Sequence, residues 1–91
     1  MHMLVLPPEI THSQARACAL TVRQDMTAVP DSQVVLDASQ LVKFDSSALA
    51  VMLQCRREAL AAGKKFVVHG LTPPLAKLAA LYGIESLLSA A

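Results

Sequence analysis

The chain has 91 residues, of which 54% are hydrophobic, 16% charged and 3% aromatic. This length suits a single domain over residues 1–91, and high hydrophobicity with low charge excludes a disordered segment. Eight basic against seven acidic residues, with two Phe and one Tyr, give neither the basic patch nor the stacking platform of a nucleic-acid binder. No uncharged apolar stretch reaches the roughly 18–20 residues that span a bilayer.

The beginning of the chain and its two cysteines point to a cytoplasmic protein. The first residues lack the basic segment and the small-residue cleavage site of a signal peptide. Cys18 and Cys55 both fall in predicted helices, where we expect them to be reduced, buried and packed as small apolar side chains.

The first half of the chain is typical of a strand, a helix and a second strand. Met3–Leu6 is a short apolar run that ends at two prolines. Thr11 followed by Gln14 is a capping-box pattern and predicts a helix start. The expected core face of this helix contains Ala15, Cys18, Ala19, Val22 and Met26. A turn is predicted at residues 30–32, and the continuous apolar run Val34–Leu36 predicts a buried strand.

The second half repeats this alternation. After a loop over residues 40–44, Asp45 or Ser46 is expected to cap a long helix that ends at Gly63. The apolar run Phe66–His69 predicts a third strand. Thr72 and two prolines predict the start of a third helix, with a core stripe of Leu75, Leu78, Ala79 and Tyr82. Residues 84–88 fit either a short helical turn or a brief strand.

This order of elements predicts a small α/β domain with a mostly parallel or mixed sheet of three to four strands and helices packed against it. Right-handed crossover connections place the loop from Gln40 to Ser47 at the carboxyl end of its strand. Functional sites of open α/β sheets usually lie at this edge.

No enzyme motif is present in the sequence. There is no glycine-rich phosphate loop and no metal-ligand spacing. Ser46, His69 and Asp37 could be combined into a catalytic set, but a chain of this length offers such a set by chance. We therefore expect no catalytic residues, no metal and no cofactor.

Two features of the long helix have both a structural and a functional interpretation. Its apolar residues cover an arc of roughly 200°, whereas a surface helix needs about 100°. The excess either packs on a neighbouring helix or docks a partner, with Leu49 and Leu53 as the docking candidates. Asp45, Ser46 and Ser47 are either plain caps or a place where a phosphate on serine would meet free N–H groups.

Three segments resemble the STAS-domain family of anti-sigma-factor antagonists, and within it the MlaB-like branch. They are VVLDAS at residues 34–39, FDSSALA at residues 44–50 and LAKLAALYGI at residues 75–84. The resemblance covers nearly the whole chain. It implies a STAS fold without catalysis, in a subunit that binds the cytoplasmic ATPase of a phospholipid-transport ABC complex maintaining outer-membrane lipid asymmetry.

The resemblance also implies a site. Ser46 matches the serine that is phosphorylated in anti-sigma-factor antagonists, and the expected partner-binding residues are Phe44, Asp45, Ser46, Ser47, Leu49 and Leu53. The protein is expected in the cytoplasm, peripheral to the inner membrane through its partner and not inserted in it. The alternative is an antagonist whose partner is an anti-sigma factor with serine kinase activity.

Overall fold

A computed structural model describes residues 3–27 and 32–88. The strands are β1 (Met3–Val5), β2 (Glu9–Ile10), β3 (Gln33–Asp37), β4 (Lys43–Phe44) and β5 (Lys65–His69). The helices are α1 (His12–Thr27), α2 (Ser46–Ala61) and α3 (Pro73–Leu81), followed by a 3₁₀ turn at Glu85–Leu87. The predicted α/β class is confirmed, and the segment after Gly83 is a helical turn rather than a strand.

A three-stranded parallel sheet in the order β1-β3-β5 forms the centre of the fold. Leu4, Leu36 and Val68 lie side by side across it. The central strand β3 is paired on both sides, and Val34, Val35 and Leu36 are buried. Val34 packs with Met26 of α1 and Ala59 of α2, so these two helices cover one face of the sheet.

A second, two-stranded parallel sheet was not predicted. It pairs β2 with β4 and sets Ile10 beside Phe44. The carbonyl of Pro8 accepts hydrogen bonds from the N–H groups of Val42 and Lys43, at 2.9 and 3.0 Å. Strands of two residues are too short to show an alternating pattern. Because each strand runs directly into a helix, this small sheet brings the starts of α1 and α2 together.

The predicted helix ends are largely confirmed. The Gln14 side chain accepts a hydrogen bond from the Thr11 N–H at 3.0 Å, as a capping box requires. Gly63 follows α2 with a positive φ of 74°, and α3 has proline in its first turn. The turn predicted at residues 30–32 falls mainly on residues 30 and 31, outside the described residues.

Helical spacing predicted that Tyr82 belongs to the core stripe of α3, and this prediction is wrong. It is the C-terminal cap of the helix and is 58% exposed, whereas Leu75 and Ala79 are fully buried. The chain leaves the helix at Gly83, whose φ is +71°. The last residue of the stripe therefore lies beyond the part of the helix that the core covers.

Both cysteines are buried and free, as expected. Burial raises the pKa of the Cys55 thiol to about 12, with smaller contributions from the Cys18 and Glu58 charges. Burial also raises the pKa of Cys18. Both side chains therefore remain protonated packing groups at neutral pH. Within the described ranges, no helix is long and apolar enough to cross a membrane.

Gly70 provides a test of how tightly the edge of the sheet is packed. A Cβ added there would lie 2.7 Å from Ser39 Cβ and 3.1 Å from Asp37 Oδ1, whereas one added to Gly83 would meet nothing within 4 Å. Both glycines have φ near +70°, so alanine at either costs about 1–2 kcal/mol in backbone strain. We expect Gly70→Ala to lower the free energy of unfolding by a further 1–3 kcal/mol or so through the clash.

Urea unfolding of the two single variants measures this difference directly. Gly83→Ala is the matched control, since it carries the same backbone strain in open space. Equal losses of stability in the two variants would contradict the close contact between Gly70 and Ser39.

Candidate functional site

Two polar side chains stand at the carboxyl ends of neighbouring strands in the central sheet. β3 ends at Asp37 and β5 ends at His69, which are register partners. α1 and α2 begin immediately after β2 and β4. Helix N-termini carry unpaired N–H groups and partial positive charge, so this edge favours carboxylates and other anionic groups.

A single carboxylate, that of Asp45, caps both helices. Its Oδ1 accepts a hydrogen bond from the Ser47 N–H at 2.8 Å in α2, and its Oδ2 accepts one from the His12 N–H at 3.0 Å in α1. The sequence left the cap of α2 open between Asp45 and Ser46, and the structure assigns it to Asp45. The Ser47 N–H lowers the pKa of Asp45 most, and the His12 N–H lowers it further.

A second carboxylate organises the loop after β3. Asp37 Oδ1 accepts a hydrogen bond from the Ser39 N–H at 2.9 Å. The Ser39 hydroxyl and N–H lower the pKa of Asp37, with a smaller contribution from His69. The structure thus brings Asp37 and His69 together, but the serine that contacts the carboxylate is Ser39 rather than Ser46. Asp37 closes its own turn, which is a structural role.

Ser46 is the first residue of α2 and is exposed. It lies in a groove of about 240 Å³ between the start of α2 and the end of α3. We call this the Ser46 groove; its lining residues are Ser46, Leu49, Ala50, Leu53, Tyr82 and Ile84. A hydroxyl at the mouth of a mostly apolar groove suits protein docking, because an apolar partner surface can enter while the hydroxyl stays accessible.

Of the other predicted site residues, Leu49 and Leu53 line this groove, whereas Phe44 lines a different groove with Val42 and Pro74. Phe44 and Ser47 are half-buried, and Phe44 packs against the main core. Leu53 is also half-buried. Leu49 contributes little surface to the groove, since it is 3% exposed and belongs to the core. The wide apolar arc of α2 is therefore mostly internal packing, and of the two leucines only Leu53 offers surface to a partner.

Tyr82 and Ile84 line the groove but were not predicted as site residues. Helical spacing assigned Tyr82 to the core, and the segment around Ile84 was ambiguous. The available signal was the position of Tyr82 next to Gly83, because a helix that ends at Gly83 leaves Tyr82 at its very end. Among residues 3–27 and 32–88, no group of three or more His, Cys, Asp or Glu side chains could hold a metal ion.

The two hydrogen bonds of Asp45 predict a pH-dependent stability. Its folded-state pKa lies below the ordinary value of 3.8, so the charged cap stabilises the fold above that pH and is lost as pH falls through the folded pKa. Asp45→Asn should lower the urea midpoint at pH 7, because an amide cannot offer two carboxylate oxygens to two donors.

The difference in urea midpoint between wild type and Asp45→Asn should shrink below pH 3.8, where the wild-type carboxylate also becomes neutral. A series of urea titrations from pH 7 to pH 2.5 measures it. A difference that is the same at every pH would show that the charge of Asp45 does not stabilise the helix starts.

A family model and a solved structure are similar to this chain. The family model described as "Mlab, STAS domain" matches residues 3–89. The solved structure of the anti-sigma factor antagonist SpoIIAA in its unphosphorylated form is similar, with a TM-score of 0.75 and 17% identity. The match covers 98% of this chain and 77% of that one. No curated protein sequence matches the chain significantly. On the family match over almost its whole length, the chain belongs to the MlaB-like STAS-domain family.

Proposed function

We propose that this protein is a non-enzymatic accessory subunit that binds the cytoplasmic ATPase of a phospholipid-transport ABC complex and supports lipid asymmetry of the outer membrane. The observation that carries the proposal is the Ser46 groove, in which an exposed serine at the start of α2 stands beside apolar side chains. The FDSSALA segment, one basis of the family resemblance, forms the α2 side of this groove.

The groove is built for docking and not for reaction. The other side chains that line the groove are apolar apart from the Tyr82 hydroxyl. The adjacent Asp45 carboxylate already accepts hydrogen bonds from the starts of both helices, so it is committed to capping rather than to activating the serine. Membership of the STAS family supports the same view, since its domains generally bind or regulate other proteins. In this proposal the protein reaches the inner membrane only through the ATPase.

A negative charge at Ser46 would oppose docking in two ways. The Ser47 N–H, which could otherwise neutralise an anion at the helix start, already donates to Asp45. A phosphate or carboxylate at residue 46 would therefore stand beside an existing carboxylate, and it would also have to lose water when a partner covers the groove. Modification of Ser46 would act as a negative switch.

The second candidate is an anti-sigma-factor antagonist controlled by phosphorylation of Ser46. The similarity of the fold to SpoIIAA favours it, and the same exposed serine serves it. The two functions differ in the partner, which is an ABC ATPase in the first and an anti-sigma factor with serine kinase activity in the second. Tyr82 in the groove favours the first, because the Leu-Tyr-Gly-Ile ending is the segment that resembles the MlaB-like branch.

Two variants of Ser46 should separate the effect of an added negative charge on binding from the effect of losing the hydroxyl. We expect Ser46→Ala to bind the purified ATPase within about twofold of wild type, because Asp45 and not Ser46 caps the helix. Ser46→Glu should bind at least about fivefold more weakly, which corresponds to about 1 kcal/mol. Isothermal titration calorimetry measures both, with the melting temperature as the control for folding.

Ser32→Glu is the matched charge control. Ser32 is exposed and immediately precedes β3, at the opposite edge of the sheet. The proposal requires this variant to bind the ATPase as wild type does. Equal affinities of folded Ser46→Ala and Ser46→Glu would place Ser46 outside the interface. No binding to the ATPase, together with phosphorylation of Ser46 by a kinase-type anti-sigma factor, would select the second candidate.

A further inference from the structure

The most exposed large apolar side chains of the described residues lie outside the Ser46 groove. Val42 is 76% exposed and Leu81 is 80% exposed, whereas the others range from 39% to 58%. Two shallow grooves connect them. One contains Val42 and Pro74, and the next contains Pro74, Lys77, Leu78 and Leu81. Because Pro74 is shared, the grooves form one surface. We call it the α3 strip and define it by Val42, Pro74, Lys77, Leu78 and Leu81.

The strip is a second apolar face of α3. The core face of this helix is supplied by Leu75 and Ala79, both fully buried. Pro74, Leu78 and Leu81 follow the spacing i, i+4, i+7 and lie on one side of the helix. Leu78 is half-buried and also packs against the main core, whereas Pro74 and Leu81 are exposed. A nine-residue helix that needed only to cover the core would not require this second stripe. The exposure of Leu81 therefore favours a role in contact with another molecule.

The charged residues that line the two grooves are both lysines, Lys43 and Lys77. Lys43 lies 4.0 Å from a carboxylate oxygen of Glu9. No ion pair joins Lys77 to any other residue in the described part of the chain. The strip thus combines apolar surface with the positive charge of Lys77, and it is complementary to an apolar segment that carries a carboxylate.

The size of the Ser46 groove gives a second reason to extend the interface. A stable protein–protein contact buries about 800 Å² on each partner and involves roughly 20–30 residues a side. The Ser46 groove is lined by six residues, which is well below this number. The α3 strip adjoins the groove along the chain, since Leu81 of the strip directly precedes Tyr82 of the groove.

We propose that the ATPase partner covers the α3 strip together with the Ser46 groove, through an apolar segment whose acidic side chain faces Lys77. This inference rests on the proposed function and adds the extent of the footprint and the chemistry of the partner segment. Lys77 then determines specificity, because a partner with a basic residue at that point would be repelled.

Binding of the purified ATPase to strip variants tests the inference. Leu81→Ser and Lys77→Glu should each weaken binding by at least about fivefold. Neither change should unfold the protein, since both side chains are exposed. Lys77→Gln should weaken binding less and should reduce the salt dependence of the affinity, because it removes the attraction without adding repulsion.

Two matched controls make the same chemical changes elsewhere. Leu20→Ser alters a leucine of α1 that is 52% exposed, and Lys65→Glu reverses an exposed lysine at the amino end of β5. Both should bind the ATPase as wild type does, with unchanged melting temperatures.

The outcomes separate this inference from the proposed function. Weakening by Ser46→Glu with no effect of the strip variants would overturn the inference and leave the proposed function standing. No binding of the ATPase by wild type would overturn both. Co-sedimentation of wild type with phosphatidylglycerol vesicles, lost in Leu81→Ser while ATPase binding is unchanged, would assign the strip to a lipid surface and overturn the inference. A salt dependence that is identical in wild type and Lys77→Gln would overturn the acidic contact.

Discussion

Parallel pairing is the constraint on which the rest of this structure depends. Every strand pair in the described residues is parallel. A parallel strand cannot return through a tight turn and needs a crossover, here α1 and α2. The central strand β3 is paired on both sides and buried, and both helices pack against it through Met26 and Ala59. The three strands of the central sheet end at one edge, where Asp37 and His69 are register partners.

The carboxylate of Asp45 links this topology to the site. It accepts hydrogen bonds from the first turns of both α1 and α2, so it stabilises the two helix starts and fixes where Ser46 stands. The same carboxylate makes residue 46 sensitive to charge, because an added anion there has Asp45 as its neighbour. One residue therefore connects the stability of the fold with the proposed control of docking.

Much of this fold could be predicted from the sequence because its signals are local. The Thr11–Gln14 capping box, the proline start of α3 and the glycines after α2 and α3 each specify an element boundary without tertiary information. The small β2–β4 sheet could not be predicted, since each strand has two residues and their pairing spans more than thirty positions. Such contacts depend on topology and leave no periodic pattern.

The sequence pointed to the start of α2 as the candidate site, but it did not identify all of the residues that line the groove there. The FDSSALA segment located the start of α2, yet helical spacing alone could not tell whether Leu49 or Leu53 points into the core. That choice depends on where α1 and α3 pack, which makes Leu49 a core residue and leaves Leu53 half-exposed. Tyr82 was misplaced for the related reason that α3 ends before its last apolar residue reaches the core.

Hydrogen–deuterium exchange of the protein, alone and with the purified ATPase, tests the central claim most directly. The account predicts that complex formation protects backbone amides at the start of α2 and around Tyr82–Ile84. Amides around Arg57–Lys65, at the opposite edge of the sheet, should exchange as in the free protein. Protection confined to that opposite edge, with none at the start of α2, would contradict the account.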